Sequence, residues 1–95
     1  MTQDLFQITV NMRVAEGYVE TGRFYIGPDK ETAYEVFEQL KGTSSCGGAS
    51  MLRLDLVEQN NELNTVCKML ECTLCDIAEN VKVIVRETFR LVNLE

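Results

Sequence analysis

The sequence predicts an α+β fold of two ββα halves, a four-stranded antiparallel sheet with two helices on one face. Three observations carry that expectation. Paired stretches of alternating apolar residues precede a stretch of helical spacing, twice over. Corresponding positions in the two halves lie 44 residues apart, as Asp29 and Thr73 do. The chain has 95 residues, a single-domain length, and its one proline and six glycines leave no linker long enough to divide it. The halves span about 1–42 and 51–95, with 43–50 as the connecting loop.

Residues 6–14 place Phe6, Ile8, Val10, Met12 and Val14 on one side and Gln7, Thr9, Asn11 and Arg13 on the other, the pattern of a half-buried strand. Ala15-Glu16-Gly17 reads as a three-residue turn, with Gly17 suited to positive φ. A returning strand over 18–26 then sets Ile8 opposite Phe24 and Phe6 opposite Ile26, and leaves Glu20 near Met12. Asp29 is the expected N-cap of a helix carrying Ala33, Val36, Phe37 and Leu40, with Gly42 as its C-terminal cap. The small, polar TSSCGGAS segment connects the halves. Leu52, Leu54 and Leu56 mark a third strand, Asn60-Asn61 a turn, and 63–70 a fourth; a two-residue turn there would bury Leu63, Cys67 and Met69, in conflict with the register of the first hairpin.

After Cys72 the pattern changes period. Leu74, Ile77, Ala78, Val81, Ile84, Val85, Thr88, Phe89 and Val92 form one stripe at intervals of three and four. This predicts a helix over about 74–92, capped by Thr73 with Asp76 in its first turn, and packed on the sheet through Ile77, Val81, Val85 and Phe89. A strand through the valines at 81, 83 and 85 would bury Glu87, which counts against it. The 44-residue offset also pairs Ile8 with Leu52, Val10 with Leu54, Gly17 with Asn61 and Leu40 with Ile84. The implied strand order is 2-1-3-4 about a pseudo-two-fold.

Composition narrows the function classes. Fifteen acids against nine bases give a net charge of −6, which repels a phosphate backbone, so no nucleic-acid partner is expected. No apolar run approaches the roughly 20 residues of a bilayer span, and residues 1–6 show no export signal, so a cytoplasmic protein with no membrane contact is expected. Histidine is absent, which removes Ser-His-Asp triads, Cys-His pairs and Cys-His zinc sites from this chain.

Cys72-Thr73-Leu74-Cys75 is the one motif with a mechanism attached. It stands where a strand gives way to a helix, and a helix N-terminus favours a thiolate. The aromatic and proline residues usual around thioredoxin-type sites are missing, and cysteines of reducing compartments more often serve as small buried hydrophobes. A four-cysteine zinc site from Cys46, Cys67, Cys72 and Cys75 lacks the usual second CxxC. No metal and no cofactor are expected. Glu31, Glu35 and Glu38 read as a solvated helix face, and the glycines at 47 and 48 as a flexible connector, with no lysine following as a phosphate loop requires.

The stretches FYIG, AYEVFEQLKG, LRLDLVE, CTLCDIAEN and RETFRLVNLE together resemble a group of small uncharacterised bacterial proteins. The resemblance covers nearly the whole chain, through Asn93-Leu94-Glu95, and implies no activity, cofactor or site. Surplus apolar residues suggest self-association. Met51, Val57, Val66, Leu70, Val19 and Tyr25 are candidates for the helix-free sheet face, and Leu91, Val92 and Leu94 for the end of the long helix. The expected function is a non-catalytic protein-interaction module forming a homodimer or binding a protein partner. The alternative is a thiol-disulfide protein using Cys72 and Cys75. A bound apolar ligand has no residue-level support.

Overall fold

The computed structural model describes residues 5–43, 51–61 and 63–93. Alternation along β1 (Leu5–Val14) and β3 (Leu52–Asn60) gives each a continuous apolar row that must be covered on one face, and the two strands form the centre of the sheet. They pair antiparallel with Ile8 opposite Leu56, Val10 opposite Leu54 and Met12 opposite Leu52. Val10 and Leu54 are also equivalent in the 44-residue repeat, so the pseudo-two-fold of the two halves passes through that pair. β2 (Gly17–Gly27) and β4 (Leu63–Cys72) add outside them, giving the order β2-β1-β3-β4, antiparallel throughout.

Both hairpins depart from simple registers, and each departure relieves a conflict in the pattern. In the first, Ala15 and Glu16 are the turn residues and Gly17, at φ 134°, already pairs with Val14. Ile8 lies opposite Phe24, but Phe6 meets Gly27 and not Ile26, because a register shift intervenes between Phe6 and Gln7. A second shift, between Val10 and Asn11, sets Glu20 opposite Asn11 and Val19 opposite Met12. Glu20 thereby leaves the apolar face and meets Arg23 on the other side.

In the second hairpin Asn60 pairs with Leu63, so Asn60 closes the strand and Asn61, at φ 58°, opens the turn. A shift between Leu56 and Val57 leaves Cys67 extra, and β4 runs two residues beyond the expected end, to Cys72. Cys67 and Lys68 both lean toward the first helix: Cys67 packs against the core and Lys68 approaches the Tyr34 ring at 5.5 Å. Beyond that bulge Leu70 and Cys72 face the core and Met69 does not, which removes Leu70 from the outward set.

α1 (Lys30–Glu38) begins at Asp29, whose carboxylate accepts from the Thr32 amide at 3.0 Å. Its C-cap is Gln39, not Gly42. Gly42 instead makes room for β4, since a Cβ there would stand 2.6 Å from the Glu71 carbonyl oxygen and 2.7 Å from Leu70 Cγ. Only glycine lets Thr43 pair with Glu71 through two backbone bonds of 2.9 and 2.8 Å. Thr43 is therefore joined to the edge of β4 and does not belong to a loose loop; the remainder of that loop, with Cys46, lies outside the described residues.

α2 (Leu74–Asn93) has the predicted start, a reciprocal cap in which Thr73 Oγ1 accepts from Asp76 N–H and Asp76 Oδ2 accepts from Thr73 N–H, each at 3.1 Å. With 20 residues against nine in α1, it is longer by about three turns.

The core joins Phe6, Ile8, Leu52, Leu54 and Leu56 to Ala33, Val36 and Phe37 of α1 and Ile84 of α2, so both helices cover the same sheet face. α2 does not pack as its stripe predicts. Ile77 reaches the core, but Val81 is half-buried, Val85 is 51% exposed and Phe89 is 68% exposed. Asn80, Ile84 and Glu87 are buried in their stead. Glu87, whose burial argued against a strand, is buried by the helix as well, with Arg90 Nη2 at 2.6 Å and Arg86 Nε at 3.3 Å.

Ile84→Ala should cost about 2–5 kcal/mol by creating a cavity under α2. Phe89→Ala should cost about 1 kcal/mol or less, as at a surface position. Urea unfolding of the two variants checks the order, and an equal or larger loss at Phe89 would contradict this packing.

Candidate functional site

Cys72 closes β4 and Cys75 falls in the first turn of α2, so the strand-to-helix junction predicted from CTLC is present. Its two thiols have different surroundings. Cys72 is buried, with its sulfur 3.4 Å from the Lys41 carbonyl oxygen and 3.5 Å from Asn80 Nδ2. Burial, with the Asp76 charge adding to it, pushes this thiol up to about 11, and the Asn80 hydrogen bond only partly opposes the rise. A thiol so placed is overwhelmingly protonated near neutral pH and is a poor nucleophile. Cys75 is exposed, and Cys67 lies toward α1, 4.0 Å from Glu58 Oε1. All three are free. Among the described residues no group of three or more metal-ligating side chains gathers.

Asn80 is a structural centre that periodicity does not single out. Its amide holds both backbone groups of Lys41: Nδ2 donates to the Lys41 carbonyl at 2.8 Å, and Oδ1 accepts from the Lys41 N–H at 2.7 Å. Past the end of α1 these groups join neither helix nor strand, and a buried asparagine can serve donor and acceptor together. Its one trace in the sequence is a polar residue at core spacing, three after Ile77 and four before Ile84.

The helix-free sheet face is polar, as β1 predicts, but it is not open. Gln7, Thr9 and Asn11 are buried beneath flanking side chains. Arg23 bonds both Glu20 carboxylate oxygens, at 2.9 and 2.8 Å, and also Gln7, which in turn donates to Gln59 at 2.8 Å. Arg53 pairs with Asp55 at 2.9 and 3.0 Å and lies 4.3 Å from the Tyr18 ring centre. Of the outward apolar set expected here, Tyr25, Val66 and Met51 are exposed, Val57 is buried, and Val19 has moved to the helix side. On α1, Glu31, Glu35 and Glu38 edge a shallow open depression beside Tyr34. Among the described residues, Thr88 Oγ1 is the one buried side-chain nitrogen or oxygen without a hydrogen-bond partner.

What stands out is an apolar surface. The inward residues of α2, at 77, 80, 84, 87 and 91, follow spacings of three and four. A second row at 74, 78, 81, 85 and 88 has the same spacings and lies about a quarter-turn round the helix. Asn80 and Arg86 tie the opposite flank to Lys41 and Gln39, so this second row points away from α1. Leu74 is 64% exposed there, and Val85 about half. By strand alternation Met12, Val14 and Val19 lie on the same side of the sheet, at the end where α2 begins, and they too are exposed.

The fold and these surfaces define a two-layer α+β protein whose helix-free sheet face is hydrogen-bonded within itself and whose second helix row exposes Leu74, Ala78 and Val85 while Val81 and Thr88 stay half-buried. No family model, curated protein or solved structure matches the chain.

The environment of Cys72 predicts a pH effect. The folded thiol titrates near 11 and an ordinary thiol near 9, so the folded state holds its proton longer as pH rises. Stability should be level below pH 9 and fall as pH climbs toward 11. Cys72→Ala should remove that part of the decline, measured by denaturation at fixed pH values. An unchanged slope in the variant would contradict the assignment.

Proposed function

We propose that this chain is a non-catalytic cytoplasmic interaction module that associates with a second copy of itself through the outward row of α2. One observation carries the reading: α2 turns Asn80 and Glu87 inward while Leu74 and Val85 face water. Leu74 and Val85 keep about half of their surface in water, so covering them gains on the order of 1 kcal/mol each. The free state of the described cysteines fits a reducing compartment. No helix among the described residues is long and apolar enough to cross a membrane.

Interface size indicates what else takes part. A helix face about 30 Å long and about 10 Å wide offers about 300 Å². Specific interfaces bury about 800 Å² per partner, so α2 alone is too small. Met12, Val14 and Val19 supply further apolar area on the same side. A two-fold pairing brings each such patch against its copy and closes the assembly at two chains. The thiol-disulfide alternative through Cys72 and Cys75 has weaker support, because the buried thiol is held in its protonated form.

At micromolar concentration, sedimentation should give twice the chain mass of 10.8 kDa. Val85→Asp should give a folded monomer, with circular dichroism unchanged, since the carboxylate lies outside the core. A wild-type chain that sediments only at 10.8 kDa would overturn the proposal.

A further inference from the structure

We infer that the two-fold axis passes beside the start of α2, so that the interface is centred on Leu74 and Ala78 and on the strand ends that carry Met12, Val14 and Val19. This deepens the self-association reading and rests on it. Exposed side chains divide unevenly along the helix. From 73 to 78 the exposed ones are Thr73, Leu74, Cys75 and Ala78, none of them charged, and Asp76 is engaged in capping Thr73. From 79 onward Val85 and Phe89 are exposed among Glu79, Lys82, Arg86 and Arg90, which are exposed and charged. The centre of an interface is depleted of charged side chains, which gather at its rim. By that criterion the start of α2 is a centre and its far half a rim.

The sheet supplies apolar surface at the same end. Val19, Met12, Leu52 and Cys72 stand opposite one another across the four strands, two residues before Leu74. Leu52 and Cys72 are buried, whereas Met12 and Val19 are exposed, as is Val14 one step further along the same face of β1. α1 starts from the opposite end of β2, after Gly27, and leaves these strand ends uncovered. A mostly apolar depression of about 400 Å³, lined by Met51, Cys72, Thr73, Leu74 and Cys75, opens beside them. Helix start, strand ends and depression together supply area that the helix row alone lacks. A round interface of about 800 Å² per partner reaches about 16 Å from its centre. Val85 lies seven residues beyond Ala78, about 10 Å along the helix, and is still covered. Phe89, eleven residues and about 16 Å from Ala78, falls at the edge.

Aspartate substitutions locate the centre. Dissociation constants are measured by sedimentation for the wild type, Val14→Asp, Ala78→Asp and Phe89→Asp, with circular dichroism confirming the fold of each. Val14 and Ala78 are exposed and belong to different elements, so either variant decides alone. Each should weaken the dimer by about a hundredfold or more, because a central carboxylate is buried without a partner, once in each chain. Phe89→Asp should stay within about threefold of wild type, since an edge position keeps its water. Two results would overturn this placement while leaving self-association intact. One is a Val14→Asp dimer as tight as wild type, which would put the strand ends outside the interface. The other is a loss in Phe89→Asp equal to that in Ala78→Asp, which would move the centre to the far half of the helix. A monomeric wild type would remove both the placement and the reading beneath it.

Discussion

Two hydrogen bonds between the Asn80 amide and the backbone of Lys41, one donated and one accepted by Asn80, set how α2 is rotated on the sheet, and much of the surface depends on that rotation. Lys41 follows α1 and precedes the short pairing of Thr43 with β4, a place where its N–H and C=O have neither helix nor sheet to join. Withdrawing Asn80 would leave the Lys41 N–H without a protein partner and the carbonyl with Cys72 Sγ alone, at a net cost on the order of 1 kcal/mol per bond. A quarter-turn of α2 that buried Val81, Val85 and Phe89 would withdraw Asn80 from Lys41 and carry Glu87 out of its present site. The observed rotation keeps those polar contacts, retains Ile84 in the core, and leaves half of the helix's apolar arc outside. The outward row is thus a consequence of how the first half of the chain is fastened to the second.

Much of the fold is legible in the sequence because its signals are local. Alternation in 6–14 and 52–56 and the caps at Asp29 and Thr73 depend on neighbours within a few positions, and the 44-residue offset is a comparison of two such local patterns. The strand order is compatible with the repeat and is fixed by the structure, where equivalent strands pair about Val10 and Leu54. The bulges are not legible. Alternation shows that a strand exists but not where one residue is left over, and the conflicts at Glu20 and Met69 are the traces those bulges leave in the pattern.

The rotation of α2 is hidden for a different reason. Its apolar arc is wider than one packing face, so periodicity alone fits several rotations equally well. What selects among them is a tertiary contact with a residue 39 positions away. The cysteine motif is visible, but its chemistry is not, because the thiol's surroundings come from Lys41 and Asn80 and not from its own segment. Gly42 illustrates the same limit: its place suggests a helix cap, whereas its need for a missing side chain comes from β4.

On the proposed reading, one face of α2 belongs to the chain's own core and the adjoining face to a second copy. Hydroxyl-radical footprinting across a dilution series tests this most directly, since it reads individual side chains. Ile84 should stay protected at every concentration, while Leu74 and Val85 should be protected in concentrated samples and become reactive on dilution. Protection of Val85 that does not change with dilution, or reactivity at Leu74 and Val85 that is already full at high concentration, would contradict it.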